Sequence, residues 1–228
     1  LPVTGRMENG KTGSEHRNQK RKDGNFQMMD LTIREIAEAC GGKLMIQGGK
    51  ADDSSHVSSV VIDSRQVEPK GVVVAVVGEK VDGHTFISSV FARGAILAVT
   101  QKTPKQVAAE AEEAQREGSR DPAKAPGEQT GPQAGGEACE WGCYLLVEDT
   151  LQALKQIAEA YRKKLNVKTV GITGSAGKTS TKELIAAVLA KRYRVLKTQG
   201  NFNNEIGVPL TLLRIRREHE GAVVEMGI

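Results

Sequence analysis

The chain has 228 residues, 39% of them hydrophobic and 26% charged, which suits one large globular domain or two smaller ones. Its net charge of +4 arises mostly in residues 1–28, which carry six basic and three acidic side chains, so the body is nearly neutral and nucleic-acid binding is disfavoured. No segment approaches the roughly 18 apolar residues of a membrane-spanning helix, and three cysteines are too few for a disulfide framework, so a cytoplasmic protein without membrane insertion is expected.

The first hundred residues predict a tail followed by alternating helices and strands. Residues 1–28 are polar and basic without hydrophobic periodicity, and we expect a disordered tail. Apolar side chains then recur at helical spacing from Leu31, with Thr32 near the start and Gly41-Gly42 at the end, which predicts a short helix. Strands are predicted at 57–63, 72–77 and 95–100, with a helix at 85–93. This alternation favours an α/β layer structure.

Residues 101–140 interrupt the pattern. They contain four of the seven prolines and mixed charge, which predicts a solvated insertion with one short helix at 106–117. A strand at 144–147 follows, then a helix at 151–165 with apolar residues at helical spacing. A further strand at 167–173 leads directly into the strongest motif of the chain.

That motif is a glycine-rich turn between a predicted strand and a predicted helix. Its residues, here called the phosphate loop, are Thr173, Gly174, Ser175, Ala176, Gly177, Lys178, Thr179 and Ser180. Small residues let backbone N–H groups approach phosphate oxygens, and the helix dipole favours an anion. A lysine here reaches terminal phosphates, and the adjacent hydroxyl ligates Mg²⁺. The general pattern has a glycine where this chain has Ile172, but ATP or GTP binding is still predicted.

The phosphate loop resembles that of the Mur ligase family, and the resemblance covers residues 29–100 and 144–228. It includes the 200–213 segment Gly-Asn-Phe-Asn-Asn-Glu-Ile-Gly-Val-Pro-Leu-Thr-Leu-Leu and the acidic end of the strand at 222–227. Upstream, Asp63-Ser64-Arg65 and Asp82-Gly83-His84 resemble the family's uridine-nucleotide domain. The Asn-Asn and Gly-Val-Pro elements are typical of the dipeptide-adding branch. The chain departs from the pattern at Val73, where an aromatic residue is usual, and at Lys70, where glycine is common; we expect altered packing and turn geometry there.

The resemblance implies a fold and a division of the chain. We expect an α/β protein with a small uridine-nucleotide domain at 29–164, interrupted by the insertion at about 101–140. The truncated start of a P-loop ATPase domain with a mainly parallel sheet is expected at 165–228. The implied reaction is ATP-dependent amide ligation, in which D-Ala-D-Ala is added to UDP-N-acetylmuramoyl-tripeptide through an acyl phosphate. Because the ATPase domain would be incomplete, we expect no ligation by this chain alone.

The resemblance also implies roles for individual residues. Lys178 and Glu225 are the expected catalytic residues, because developing phosphate charge must be neutralised. Thr179 and Glu225 would ligate Mg²⁺, whose preferred ligands are hard oxygens. Asn203 and Asn204 would orient substrate or phosphate, although asparagine is also common in turns.

The uridine-nucleotide site has three expected members. Ser64 and Arg65 would hold the UDP group, since a guanidinium pairs well with phosphate oxygens. His84 would contact the same substrate. On sequence alone, an arginine after a strand is more often an exposed charge, and a histidine such as His84 is more often a structural or surface residue than a ligand contact.

Three other functions remain open at this point. A diamino-acid-adding Mur ligase shares the upstream motifs, a non-catalytic nucleotide-binding fragment would need only the loop, and a P-loop kinase or GTPase predicts no uridine-nucleotide affinity. The sequence does not define the third residue of the peptide substrate or the oligomeric state.

Overall fold

The structure, a computed structural model, describes residues 29–48, 51–78, 81–118 and 142–227. The predicted tail at 1–28 and the second part of the predicted insertion lie outside the described residues. The helices are α1 (Ile33–Cys40), α2 (Ile87–Ala92), α3 (Pro104–Gly118), α4 (Thr150–Lys164), α5 (Lys178–Leu189) and α6 (Gly207–Leu213). The strands are β1 (Lys43–Gln47), β2 (Val60–Val61), β3 (Val72–Val74), β4 (Leu97–Thr100), β5 (Gly142–Leu146), β6 (Lys168–Ile172), β7 (Val195–Lys197) and β8 (Gly221–Glu225). The predicted α/β class is confirmed.

Helix α1 begins and ends where its sequence signals predict. The Thr32 hydroxyl accepts from the backbone N–H of Glu35, and the Glu35 carboxylate accepts from the backbone N–H of Thr32, which forms a capping box. Gly41 ends the helix in the left-handed conformation with φ of 61°. Local capping chemistry therefore defines this helix.

The first sheet has five strands in the order β1-β5-β4-β3-β2, parallel except for the antiparallel β1–β5 pair. The strand predicted at 57–63 shortens to β2. Its first part pairs elsewhere: the N–H of Val57 donates to Leu31 O and Val57 O accepts from the N–H of Met29. The sheet edge is therefore bound to the segment that precedes α1.

The helix predicted at 85–93 is divided in two, and part of the predicted insertion belongs to the core. A 3₁₀ turn at Gly83–Phe86 precedes α2. Helix α3 begins at Pro104, and its Val107 is 2% exposed in a cluster with Val90 and Tyr144. The prediction that the chain is solvated from residue 101 is therefore wrong for α3, because the first turns of this helix cover the sheet.

The second sheet contains β6, β8 and β7 in that order, and all its pairs are parallel. Helix α4 packs against both α1 and α6, and one apolar cluster extends from Leu31 to Val224 across both sheets. The Tyr161 hydroxyl donates to Ile215 O at 2.7 Å within this core. Parallel strands direct their carboxyl ends to one edge, where functional groups of α/β proteins collect. The division at residue 164/165 stays a prediction.

Lys70 holds an uncommon backbone conformation. Lys70 has φ of 62°, the left-handed region in which a side chain is strained and glycine is not. Its N–H donates to Gly94 O and its carbonyl accepts from the N–H of Ser58. The turn before β3 thus requires this geometry.

Within the described ranges, no helix is long and apolar enough to cross a membrane.

Candidate functional site

The phosphate loop connects the end of β6 to the start of α5. Gly174 and Gly177 have φ of 142° and 75°, values that glycine adopts without strain. The loop residues Ser175, Ala176 and Gly177 are exposed. The predicted strand, loop and helix are therefore present, with backbone groups open to a ligand.

Lys178 folds back over the loop. Its ammonium group donates to the carbonyl oxygen of Gly174 at 2.6 Å. A lysine held over the loop in this way is positioned to transfer its hydrogen bond to a phosphate oxygen, because a charged phosphate is a stronger acceptor than the neutral carbonyl of Gly174.

Glu225 lies beside the loop because β8 pairs with β6. The register matches Glu225 with Ile172, the last residue before the loop. Glu225 is 2% exposed, and its Oε1 accepts from Thr179 Oγ1 at 3.2 Å and from Asn203 Nδ2 at 2.9 Å. Its backbone N–H donates to Thr198 Oγ1 at 2.9 Å. Strand pairing and three neighbouring groups thus position the carboxylate at the first turn of α5.

The carboxyl group of Glu225 is held in its charged form. Burial raises its pKa, but the hydrogen bond from Asn203 and the nearby positive charge of Lys182 lower it by more, so the net pKa lies below the usual value. A charged carboxylate with hydroxyl and amide neighbours has the chemistry of a ligand for a hard cation.

The two adjacent asparagines have different roles. Asn203 reaches Glu225, and its carbonyl oxygen also accepts from the backbone N–H of Gly227. Asn204 Oδ1 instead accepts from the backbone N–H groups of Ile206 and Gly207, at 3.3 and 2.7 Å, and so caps the start of α6. Of the two asparagines, only Asn203 therefore contacts Glu225, which in turn contacts Thr179 of the phosphate loop.

Sequence reasoning missed two members of the site. Lys182 is 1% exposed, and its Nζ lies 3.2 Å from Glu225 Oε2 and 3.3 Å from Gly200 O. It follows Lys178 by one helical turn, and that spacing places both lysines on one face of α5. Thr198, fully buried after β7, has no comparable signal, because its partner Glu225 is remote in sequence.

The residues present fit the predicted Mg²⁺. Glu225 Oε2 is buried without a hydrogen bond of acceptable geometry, although Lys182 lies nearby, so its lone pairs remain available to a cation. Across the described ranges there is no group of three or more His, Cys, Asp or Glu side chains that could hold a metal. Glu225 and Thr179 would therefore supply two protein oxygens, and nucleotide phosphates the others, as is usual for Mg²⁺.

The expected uridine-nucleotide residues lie in two 3₁₀ turns, Ser64–Gln66 and Gly83–Phe86, which follow strands β2 and β3 of the first sheet. Asp63 accepts hydrogen bonds from the guanidinium and N–H of Arg65, which lower the pKa of Asp63 to about 2. The Arg65 side chain is 83% exposed, and Ser64 offers its carbonyl to Arg93. Within the described residues, no hydrogen bond or ion pair connects Ser64 or Arg65 with the phosphate loop.

His84 is part of the framework of this sheet. It is 1% exposed, with Nδ1 2.5 Å from Asp82 Oδ1 and Nε2 3.1 Å from the backbone N–H of Gln101. Since an N–H donates to Nε2, the ring proton lies on Nδ1 and points to Asp82. Both ring nitrogens are engaged, so the expected contact with substrate finds no support in this geometry.

A groove of about 700 Å³ adjoins the acid. Helix α4 contributes Ala158 and Arg162, α6 contributes Pro209 and Leu212, and Asn203 is a further lining residue. The wall is mostly apolar, and Asn203 also donates a hydrogen bond to Glu225.

The sheet order and the loop define an α/β protein with a glycine-rich phosphate loop at the carboxyl edge of a parallel sheet. Residues 172–228 match the Mur ligase middle domain, and residues 56–129 match the catalytic domain of the Mur ligase family. The chain belongs to the Mur ligase family.

Two of the proteins that this chain resembles are named MurF, and a third is named as a UDP-N-acetylmuramoyl-tripeptide–D-alanyl-D-alanine ligase. A UDP-N-acetylmuramoyl-tripeptide–D-alanyl-D-alanine ligase of Bacillus subtilis is 34% identical over 201 residues, which cover 88% of this chain and 36% of that protein. MurF from Acinetobacter baumannii aligns with a TM-score of 0.64 and 28% identity over 88% of this chain and 36% of that structure. MurF ligase from Thermotoga maritima in complex with ADP aligns at 0.53 and 28% identity, over 74% and 32% of the two chains. The chain therefore spans about a third of the length of these relatives.

Proposed function

We propose that this chain is the nucleotide-binding part of an ATP-dependent ligase that adds D-Ala-D-Ala to UDP-N-acetylmuramoyl-tripeptide during peptidoglycan precursor synthesis. The observation that carries the proposal is the contact of Glu225 with both Thr179 and Asn203. It joins the phosphate loop to the Asn-Asn segment that is typical of the dipeptide-adding branch. The B. subtilis relative carries the corresponding name.

In the proposed reaction, the terminal carboxylate of the tripeptide attacks the γ-phosphorus of ATP, and ADP leaves with the electrons of the broken P–O bond. The amine of D-Ala-D-Ala then attacks the acyl carbon, loses a proton and displaces inorganic phosphate. The first step brings two anions together, and the second develops negative charge on the acyl oxygen and the leaving phosphate, so charge neutralisation dominates both barriers.

This chain's residues supply part of that neutralisation. Lys178 moves its hydrogen bond from Gly174 O to a terminal phosphate oxygen, and the loop N–H groups hold the remaining oxygens. Glu225 and Thr179 would hold Mg²⁺, which supplies positive charge to the phosphates. Asn203 fixes the Glu225 carboxylate by its side-chain amide.

The uridine-nucleotide substrate is proposed to bind the first sheet. Ser64 and Arg65 follow β2, and Arg65 presents an exposed guanidinium whose present partner is Asp63. A diphosphate would compete with Asp63 for this guanidinium, since phosphate accepts two parallel N–H bonds. The proposal includes a cytoplasmic location, because ATP is supplied there.

The test is calorimetric titration of this chain with a non-hydrolysable ATP analogue plus Mg²⁺, the matching GTP analogue, and UDP-N-acetylmuramoyl-tripeptide. We expect the ATP analogue and the tripeptide substrate to bind independently, and the GTP analogue to bind more weakly. A preference for GTP without uridine-nucleotide binding would assign a different P-loop enzyme. A chain of this span is expected to bind its substrates without ligation, so phosphate release that needs the tripeptide, ATP and D-Ala-D-Ala would contradict that part.

A further inference from the structure

Lys182 is a buried cation beside the proposed Mg²⁺ ligands, and phosphate binding does not require it. Its side chain and that of Glu225 are 1% and 2% exposed. Lys178 already reaches over the loop, whereas Lys182 points toward the acid from the next turn of α5. A lysine is rarely buried so completely unless a partner compensates its charge.

The partnership of Lys182 with Glu225 is close but loosely formed. Nζ lies 3.2 Å from Oε2, yet Oε2 has no hydrogen bond of acceptable geometry. Lys182 donates instead to the carbonyl oxygen of Gly200 at 3.3 Å, and the half-exposed carboxylate of Glu183 lies 3.7 Å from its Nζ. The ammonium group is therefore held partly by the backbone after β7, and Glu225 receives its charge without a directed bond.

This arrangement has a consequence for a divalent cation. An ion ligated by Glu225 lies within a few ångströms of the Lys182 ammonium, and two positive charges at that separation repel strongly in a buried site. A nucleotide triphosphate reverses the balance, because its negative charge offsets both cations. The site thus favours a cation that arrives with phosphates over a cation alone.

We propose that Lys182 is the resident counter-charge of Glu225 and makes cation binding at Glu225 and Thr179 conditional on the nucleotide. Without nucleotide, Lys182 neutralises the buried carboxylate and disfavours a bare divalent ion. With nucleotide, Lys182 keeps its bond to Gly200 O, and Glu225 and Thr179 would hold the ion, whose charge the phosphates offset. Lys182 is a positioning residue in this role, and the inference rests on the proposed cation site.

The test measures Mn²⁺ binding to the whole chain by electron paramagnetic resonance, with and without a non-hydrolysable ATP analogue. We expect Lys182→Met to increase the nucleotide-free affinity for Mn²⁺ by roughly tenfold or more, because a buried like charge is removed. Lys182→Arg, which keeps the charge, should bind Mn²⁺ as weakly as the unmodified chain. Equal nucleotide-free affinities of the unmodified chain and Lys182→Met would overturn the inference.

Thermal unfolding provides a second measurement if Lys182→Met is poorly folded. Without the Lys182 charge, Glu225 would be a buried charge without compensation. Mn²⁺ alone should therefore raise the unfolding midpoint of Lys182→Met but not that of the unmodified chain. A Lys182→Met chain that Mn²⁺ cannot stabilise overturns the inference. The matched control is Lys191→Met, which removes an exposed lysine just beyond α5, and Lys182→Met combined with Glu225→Gln should lose the Mn²⁺ effect.

The Mn²⁺ measurements distinguish an error in the proposed cation site from an error in the proposed role of Lys182. If Mn²⁺ does not bind even with the ATP analogue, the proposed cation site itself is wrong. If Mn²⁺ binds the nucleotide complex but Lys182→Met leaves nucleotide-free binding unchanged, the cation site stands and the role of Lys182 is wrong.

Discussion

The ammonium group of Lys178 lies 2.6 Å from the carbonyl oxygen of Gly174, so the phosphate loop already accepts the hydrogen bond that ATP is proposed to receive. Replacing this lysine by methionine keeps the aliphatic chain and removes the charge. Because a hydrogen bond to a charged group contributes about 1.5–3 kcal/mol, Lys178→Met should weaken binding of an ATP analogue by roughly 10- to 100-fold. Titration calorimetry measures this loss.

Lys191→Met is the matched control for that experiment, since it removes an exposed lysine beyond the end of α5. It should leave the affinity unchanged. Affinity of Lys178→Met equal to that of the unmodified chain would show that the lysine does not reach the nucleotide.

Substitutions of the two adjacent asparagines should have different effects on nucleotide binding. Asn203→Ala removes a donor from the buried Glu225 carboxylate, which should cost about 1–3 kcal/mol of unfolding free energy and also weaken Mg²⁺-dependent binding of the ATP analogue. Asn204→Ala removes the cap of α6 and should cost about 1 kcal/mol, with the folded protein binding ATP normally. Urea unfolding and calorimetry on both variants test this contrast, and the reverse pattern would reassign the two side chains.

Acid should weaken the framework around His84. Burial raises the pKa of Asp82, but the hydrogen bonds of Lys102 and His84 outweigh it and lower the pKa from 3.8 to about 2. Because the folded-state pKa is depressed, Asp82 contributes stability that is fully present above about pH 4 and is lost as the pH falls toward 2.

The stability difference between the unmodified chain and Asp82→Asn should therefore be largest above pH 4 and shrink on acidification. Thermal unfolding between pH 6 and pH 2 measures it, since the range includes the folded-state pKa of about 2. Glu148→Gln removes one carboxylate from an exposed position and serves as the control. A difference that does not depend on pH would mean that the Asp82 charge contributes nothing to folding.

A structural feature of this chain can be predicted from the sequence when the residues that cause it are neighbours along the chain. The residues that cap α1, which are Thr32, Glu35 and Gly41, lie at or next to the ends of the helix in sequence. The predicted helix ends therefore agree with the structure. The phosphate loop is equally local. By contrast, the shortening of β2 depends on Val57 pairing with Leu31, and nothing within 57–63 indicates it.

The residues of the candidate site also differ in whether a local sequence signal predicts them. Lys178 and Thr179 follow from a contiguous motif, but the contacts of Asn203 and Thr198 with Glu225 arise only when β6, β7 and β8 pair. Lys182 could be found from its helical spacing to Lys178, yet its burial depends on a strand more than 40 residues later. The assignments of Ser64, Arg65 and His84 came from the family resemblance, and local polarity carries little information on them.

The glycine of the Gly-Val-Pro element is expected to be irreplaceable for steric reasons. A Cβ at Gly207 would lie 2.4 Å from the backbone carbon of Phe202, and backbone cannot move as freely as a side chain. Gly207→Ala should therefore lower the unfolding free energy by about 1–3 kcal/mol. Gly221→Ala is the control in the urea titration, because its Cβ would lie 3.6 Å from the nearest side-chain atom, an ordinary contact.

Lys70 offers the opposite experiment, a substitution that should stabilise the chain. Its φ of 62° is strained for lysine and permitted for glycine, and its two backbone hydrogen bonds, with Gly94 and Ser58, do not involve the side chain. Lys70→Gly should raise the unfolding free energy by up to about 1 kcal/mol, since relief of strain exceeds the added entropy of the unfolded glycine.

Lys70→Ala is the necessary comparison, because it removes the same side chain but keeps the strained Cβ. If strain is the cause, Lys70→Ala remains as stable as the unmodified chain or less so, and Lys70→Gly alone gains stability. Equal stabilisation by both variants would instead trace the gain to loss of the lysine side chain. Urea unfolding of the three proteins decides between the two causes.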